Sequence, residues 1–151
     1  MNKTNYYQCR FSPKNSTKYK GDPTNIIARS SWELRVCKWL DENNNVLEWS
    51  SEEIIIPYVC ITDSRTHRYF PDFKVKFKTG DIYLIEIKPD KETKEPRARK
   101  RETKVYIEEV FTYGKNISKW KAAKQYADDR GWKFVIWTEN ELEKLGLKVT
   151  V

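Results

Sequence analysis

Histidine and cysteine are nearly absent from this 151-residue chain: one of the first, His67, and three of the second, Cys9, Cys37 and Cys60. With so few soft ligands and no Cys-x-x-Cys spacing, a structural zinc site is not expected. An odd cysteine count argues against a disulfide framework, so the chain reads as reduced and intracellular. No stretch approaches the ~20 apolar residues that a helical membrane span requires. Residues Met1 to Tyr6 lack the hydrophobic run of a signal peptide. No internal repeat or long low-complexity tract is visible. What the chain does have is aromatic mass and positive charge. Six Trp, nine Tyr and six Phe supply a core and argue against disorder, although 34% of residues are charged. The length suits one domain. A net charge of +7 fits a polyanionic partner such as nucleic acid, or a merely solubilising surface; composition leaves both open.

Residues 1–28 are polar and turn-rich, and Lys14, Lys18 and Lys20 make them a basic arm ahead of a domain at 29–151. Ser30-Ser31 ahead of Trp32 and Glu33 predicts a helix start, with the helix running to about Leu40. At about 100° per residue, Trp32, Val36, Cys37, Trp39 and Leu40 form one apolar arc, and Glu33 falls inside it. Such a carboxylate either caps the first turn, where the helix dipole favours it, or serves a site. Strands are predicted at Val46–Trp49, Glu53–Tyr58, Thr66–Phe70, Phe73–Phe77 and Ile82–Lys88. The last two flank Thr79-Gly80-Asp81 and are expected to form a hairpin. Beyond them, Asp90–Lys104 holds seven Lys or Arg against four acids. Pro96 is placed at the start of a helix over about 98–111. On it, Arg97 and Arg101, and Lys100 and Lys104, stand one turn apart and offer either a phosphate-facing or a solvated surface. A separate helix is expected at Ile117–Asp129, stopped by Gly131, then a buried strand at Trp132–Trp137. Thr138 and Glu141 form a capping box for a last short helix ending at Gly146. This order describes an α/β domain with a mixed central sheet flanked by helices.

The chemistry concentrates in the expected hairpin. Pro71-Asp72 opens one strand, and Glu86-Ile87-Lys88 closes the next. Residues two apart share a strand face, so Glu86 and Lys88 point one way and Ile85 and Ile87 the other. Antiparallel pairing brings Asp72 beside them. Two carboxylates suit a hard divalent cation such as Mg²⁺, and an adjacent ammonium suits a water or phosphate oxygen, the outline of a phosphodiester-cleaving site. An ordinary cross-strand ion-pair cluster is the bland alternative.

Glu33, Pro71-Asp72 and Glu86-x-Lys88 together resemble the PD-(D/E)xK, restriction-endonuclease-like nucleases. A closer likeness covers roughly residues 10–145. Arg29-Ser30-Ser31-Trp32-Glu33-Leu34, Trp49-Ser50-Ser51-Glu52-Glu53, Ile56-Pro57-Tyr58 and His67-Arg68-Tyr69-Phe70-Pro71-Asp72-Phe73 look like the head-completion nucleases of T-even-type bacteriophages. The core motifs are also similar to the N-terminal endonuclease domain of TnsA-type transposases and, more remotely, to phage junction-resolving endonucleases.

The resemblance implies that Asp72 and Glu86, with the Ile87 carbonyl, hold Mg²⁺ (Mn²⁺ substituting). It implies that Glu33 supports a metal and Lys88 orients water. Lys121, Lys124 and Gln125 are candidate auxiliaries from the following helix, while His67 has no assigned role. The implied partner is double-stranded DNA, contacted by Lys14, Lys18, Lys20, Arg97, Lys100, Arg101 and Lys104. Phage head or portal proteins are further partners, no membrane is involved, and the setting is host cytoplasm or virion. Rival readings are a junction-resolving or transposon-end nuclease on the same fold, and a non-catalytic DNA-binding or structural head-completion protein.

Overall fold

A computed structural model describes residues 8–150; Met1 to Tyr6, examined above for a leader, lie outside the described residues, as do Tyr7 and Val151. A small hairpin comes first, β1 (Cys9–Phe11) with β2 (Ile26–Ala28), followed by α1 (Ser31–Glu42) and β3 (Val46–Ser51). A second hairpin, β4 (Ile56–Val59) with β5 (Thr66–Tyr69), leads to β6 (Phe73–Phe77) and β7 (Ile82–Ile87). The chain ends with α2 (Lys104–Asp129), β8 (Lys133–Trp137) and α3 (Glu139–Lys144). The central sheet runs β3-β6-β7-β8; β7 and β8 are parallel and the other pairs antiparallel.

The alternation along β6 and β7 divides two cores. Phe73, Val75, Ile85 and Ile87 pack with Val36, Cys37 and Leu40 of α1 on one face. Leu84 packs on the other with Trp120, Ala123 and Ala127 of α2 and with Ile56, Tyr58 and Tyr69 of the second hairpin. Each such fully buried aliphatic side chain stabilises the fold by about 1.5–3 kcal/mol. The β6–β7 turn closes through Gly80, whose φ of +93° is open to glycine at no steric cost. Its N–H donates to the Phe77 carbonyl at 2.9 Å.

Local chemistry sets the helix boundaries. The Ser30 hydroxyl accepts from the Glu33 N–H at 3.1 Å and starts α1. The predicted capping box at Thr138 and Glu141 is present. Three expectations need correction. The two helices expected at 98–111 and 117–129 are one helix of 26 residues, beginning only at Lys104. Thr103, seven residues after Pro96, caps it by accepting from the Tyr106 N–H at 3.1 Å. Gly114 does not break it: the helix lies against the β4–β5 loop there, and a β-carbon at Gly114 would stand 3.3 Å from Thr62 Cγ2. Arg97, Lys100 and Arg101 therefore lie outside the helix, and their one-turn pairing does not exist. The strand expected at Glu53–Tyr58 is shorter and pairs with β5, outside the central sheet. Finally, β8 is half-buried, because it is an edge strand.

Residues 9–28 are tied into this framework by Asp41, which is only 2% exposed at the C-terminal end of α1. Its carboxylate accepts from the backbone N–H groups of Lys14 (2.9 Å) and Asn15 (3.0 Å). The Lys18 ammonium donates to the carbonyls of Asp41 (3.0 Å) and Asn43 (2.8 Å). Asp41→Ala strands two part-buried donors and is expected to cost on the order of 2–3 kcal/mol in urea unfolding, with Asp41→Asn losing less. A loss below about 0.5 kcal/mol would show that water replaces the carboxylate freely.

Candidate active site

One end of the sheet gathers the acids. There β3 ends, β6 begins, β7 ends and α1 presents its first turn. Asp72 immediately precedes β6, and its Oδ2 accepts from the Ile87 N–H at 2.7 Å, which fixes the carboxylate against the last residue of β7. Glu86 is buried, on the α2 face of β7 opposite to Ile85 and Ile87, as the strand period predicts. Its Oε1 accepts from the Tyr69 hydroxyl at 2.5 Å, and its Oε2 lies 3.9 Å from Lys88 Nζ. Glu33 caps the first turn and lies near the other acids. Its carboxylate accepts from the Arg29 N–H at 3.2 Å, a capping contact, and it also stands within the field of Glu86 and Asp72.

Burial and mutual repulsion set the electrostatics. Asp72 retains a window to solvent, yet protein atoms surround its carboxylate, and its pKa is held well above the ordinary range by burial first and by Glu86 and Glu33 next. Burial likewise raises Glu86, opposed by the Tyr69 hydrogen bond and by Lys88 and Lys119. Glu33 is raised by burial and by Glu52 and Glu86. Tyr69 is pushed upward by burial and by Glu86, so its hydroxyl stays a proton donor.

Three contributors were invisible in the sequence. Tyr69 reaches Glu86 from β5, outside the central sheet. Lys119 of α2 is half-buried, with its ammonium 5.6 Å from the Tyr69 ring centre; burial lowers its pKa while Glu86 opposes the shift. Glu52, at the end of β3, pairs with Arg29 through both carboxylate oxygens at 2.9–3.0 Å, and its N–H donates to the Asp72 carbonyl at 3.1 Å. The α2 residues expected as auxiliaries lie elsewhere. Lys121 is exposed, Lys124 pairs with Asp128 at 3.1 Å, and Gln125 donates to Asp129 at 2.8 Å. Lys119 lies in the same expected helix as these residues, and only the contact with the second hairpin distinguishes it.

The basic candidates divide by position. Lys14 pairs with Glu42 at 3.8 Å, and Lys18 binds carbonyls at the same end of α1, about 13 Å of helix beyond Glu33. Lys20 pairs with Glu48 at 3.5 Å. Arg97, Lys100, Arg101 and Lys104 are exposed along the segment joining β7 to α2. His67 sits in the outer hairpin, 2.8 Å from Asp63. A groove of about 390 Å³ opens beside the acids, lined by Glu33, Ile87, Lys88 and Lys91 among others. A larger hollow of about 530 Å³ lies around Phe77 and Tyr83 and includes none of these groups.

The donor chemistry fits a hard cation. Asp72 and Glu86 each have one oxygen held by a protein donor; burial raises both pKa values and the charge of Glu86 raises Asp72 further, so a bound cation would offset both effects. Among the described residues, no three acid, histidine or cysteine side chains stand close enough to form a finished metal cage.

An acid-bearing helix packed on a mixed sheet, with Asp and Glu-x-Lys at adjoining strand ends, defines the PD-(D/E)xK class of nuclease folds. Residues 43–139 match the family described as TnsA-like endonuclease N terminal, and the chain belongs to that family. It is also 42% identical over 150 residues to the "Head completion nuclease" of Enterobacteria phage T4, covering 94% of this chain and 97% of that protein.

The raised carboxylates have a consequence for stability. The native state binds protons that the unfolded chain has already released, so without metal stability falls as pH rises from the ordinary carboxyl range through the raised native values. Asp72→Asn removes one repelling charge. It is expected to stabilise the metal-free protein by roughly 1 kcal/mol near pH 7, with the gain vanishing at acid pH. Paired thermal melts at pH 4 and pH 7 check this; an equal or negative effect at pH 7 would mean that the Ile87 hydrogen bond outweighs the repulsion.

Proposed function

We propose that this protein is a divalent-metal-dependent DNA endonuclease that hydrolyses phosphodiester bonds. In this reading it serves phage head completion, acting on packaged DNA ends before tail joining, in the host cytoplasm or the virion. The observation that carries the chemistry is the gathering of Asp72, Glu86 and Lys88 at one end of β6 and β7, with Glu33 beside them. The biological setting rests on the similarity to the T4 protein.

Asp72, Glu86 and the Ile87 carbonyl would hold Mg²⁺ or Mn²⁺, supported by Glu33. Bound there, the ion supplies Lewis-acid polarisation of the phosphate and a lowered pKa for water. The protein's own groups do the positioning. Lys88 shares a strand face with Glu86, so its ammonium orients the attacking water and offsets charge developing on the phosphate oxygens. Tyr69 fixes the Glu86 carboxylate by donating to one oxygen, which leaves the other free. Lys119 adds positive charge behind them. Double-stranded DNA approaches over Lys88, Lys91 and the Arg97–Lys104 segment; phage head or portal proteins are the further partners.

The test is cleavage of supercoiled plasmid with Mg²⁺ or Mn²⁺, alongside EDTA. Metal-dependent cutting is expected, and Asp72→Ala and Lys88→Ala are each expected to lose at least about a hundredfold while remaining folded. Absence of cutting by folded protein with either metal would overturn the catalytic reading. Neutralising Arg97, Lys100 and Arg101 together should lower the slope of log affinity against log salt by about one per lost phosphate contact. An unchanged slope would remove that segment from the interface.

A further inference from the structure

A second cavity adjoins the acids through Glu52 and Arg29. It measures about 400 Å³ and is lined by Asn25, Arg29, Ser51, Glu52, Glu53 and Phe70 among others. We propose that this cavity seats one unpaired nucleobase carrying an exocyclic amine, next to the phosphate cut at the Asp72 site. The inference rests on the nuclease reading and narrows its substrate to DNA with an unpaired or extruded nucleotide at the cleavage point.

The cavity shares its walls with the site. Phe70 lies two residues before Asp72 in the chain. Glu52 donates its N–H to the Asp72 carbonyl at 3.1 Å, and Arg29 donates its N–H to Glu33 at 3.2 Å. Its size falls within the ~300–1,000 Å³ usual for small-ligand sites. Phe70 is 39% exposed, and the Arg68 guanidinium stands 6.0 Å from its ring centre. A half-open aromatic ring in such a place offers a stacking face for a base, worth about 1–3 kcal/mol where measured in single-strand binding proteins.

Charge selects the base over the phosphate. The one guanidinium in the wall, Arg29, is engaged by both oxygens of Glu52. Glu53 is exposed and adds a second carboxylate to the lining. Such a wall repels a phosphodiester, whereas carboxylates accept hydrogen bonds from the exocyclic amine of a base. The neighbouring groove sets Lys88 and Lys91 beside Glu33 and Glu92, and its two ammonium groups are the ones placed to meet the backbone. Glu52 holds a φ of +54°, unusual for a residue with a side chain and typical of backbone kept for function. In intact duplex the bases are stacked and paired, so only an unpaired or extruded nucleotide presents its ring and amine to this cavity.

The probe is a DNA duplex with a short overhang whose first unpaired base is 2-aminopurine, which carries an amine and loses fluorescence on stacking. It is titrated with the full chain bearing Asp72→Ala, so that no cutting intervenes. Quenching is expected, with affinity about tenfold weaker after Phe70→Ala and recovered by Phe70→Trp; a purine lacking the amine should bind more weakly, and Glu53→Gln should shrink that difference. In cleavage by the unaltered protein, overhang duplex should be cut faster than blunt duplex. Metal-dependent cutting with no quenching and no preference for the overhang would overturn the base seat and leave the nuclease standing. Quenching that depends on Phe70 without cutting under Mg²⁺ or Mn²⁺ would support the seat and sink the nuclease reading. Unchanged binding by folded Phe70→Ala, checked by its melting curve, would also overturn the seat.

Discussion

Three carboxylates confined at one end of a sheet repel one another, and the fold is arranged to hold them there. Left to themselves, Glu33, Asp72 and Glu86 would turn to water, where each charge is solvated. A specific donor restrains each instead: the Arg29 N–H for Glu33, the Ile87 N–H for Asp72 and the Tyr69 hydroxyl for Glu86. These donors come from three different parts of the chain, so the cluster exists only when α1, the β6–β7 hairpin and β5 are all docked. The two aromatic-rich cores supply the stability that this unfavourable concentration of charge takes away. Perturbed carboxylates gathered in this way are typical of functional sites.

The legible parts of this protein are those written in short periods. The β6–β7 hairpin shows through because Phe73, Val75 and Phe77 alternate with lysines and a glycine turn follows. Helix α1 shows through its arc and its Ser30 cap, and the capping box at Thr138 announces α3. The missing parts depend on contacts between distant segments. Tyr69 belongs to a strand that leaves the central sheet, and nothing in its neighbourhood indicates that its hydroxyl meets Glu86. Lys119 stood inside the helix expected over 117–129 beside Trp120 and Ala123, but nothing in that helix shows that its ammonium comes near Tyr69 and Glu86, which lie on distant segments. Glu52 owes its place to a left-handed backbone conformation that no residue pattern specifies.

Positive charge in this sequence is divided between the framework and the open surface. Lys18 neutralises carbonyl groups at the C-terminal end of α1, where the helix dipole leaves partial negative charge. In that position the lysine does the work of a helix cap. Arg97, Lys100 and Arg101, by contrast, are exposed in the segment that leaves the end of β7.

The parallel pairing of β7 with β8 has a consequence for how the molecule comes into being. The strand bearing Glu86 receives its neighbour from a segment near the other end of the chain, and the Lys88 N–H finds its acceptor in the Trp137 carbonyl at 3.1 Å. On a ribosome, that partner emerges only after the whole of α2 has been made. Until then β7 is an unprotected edge, and Lys119 has no fixed place beside it. The three carboxylates and their donors all lie before α2, so the cluster is made first and its outer wall, Lys119 and the β8 edge, is added once those later segments emerge.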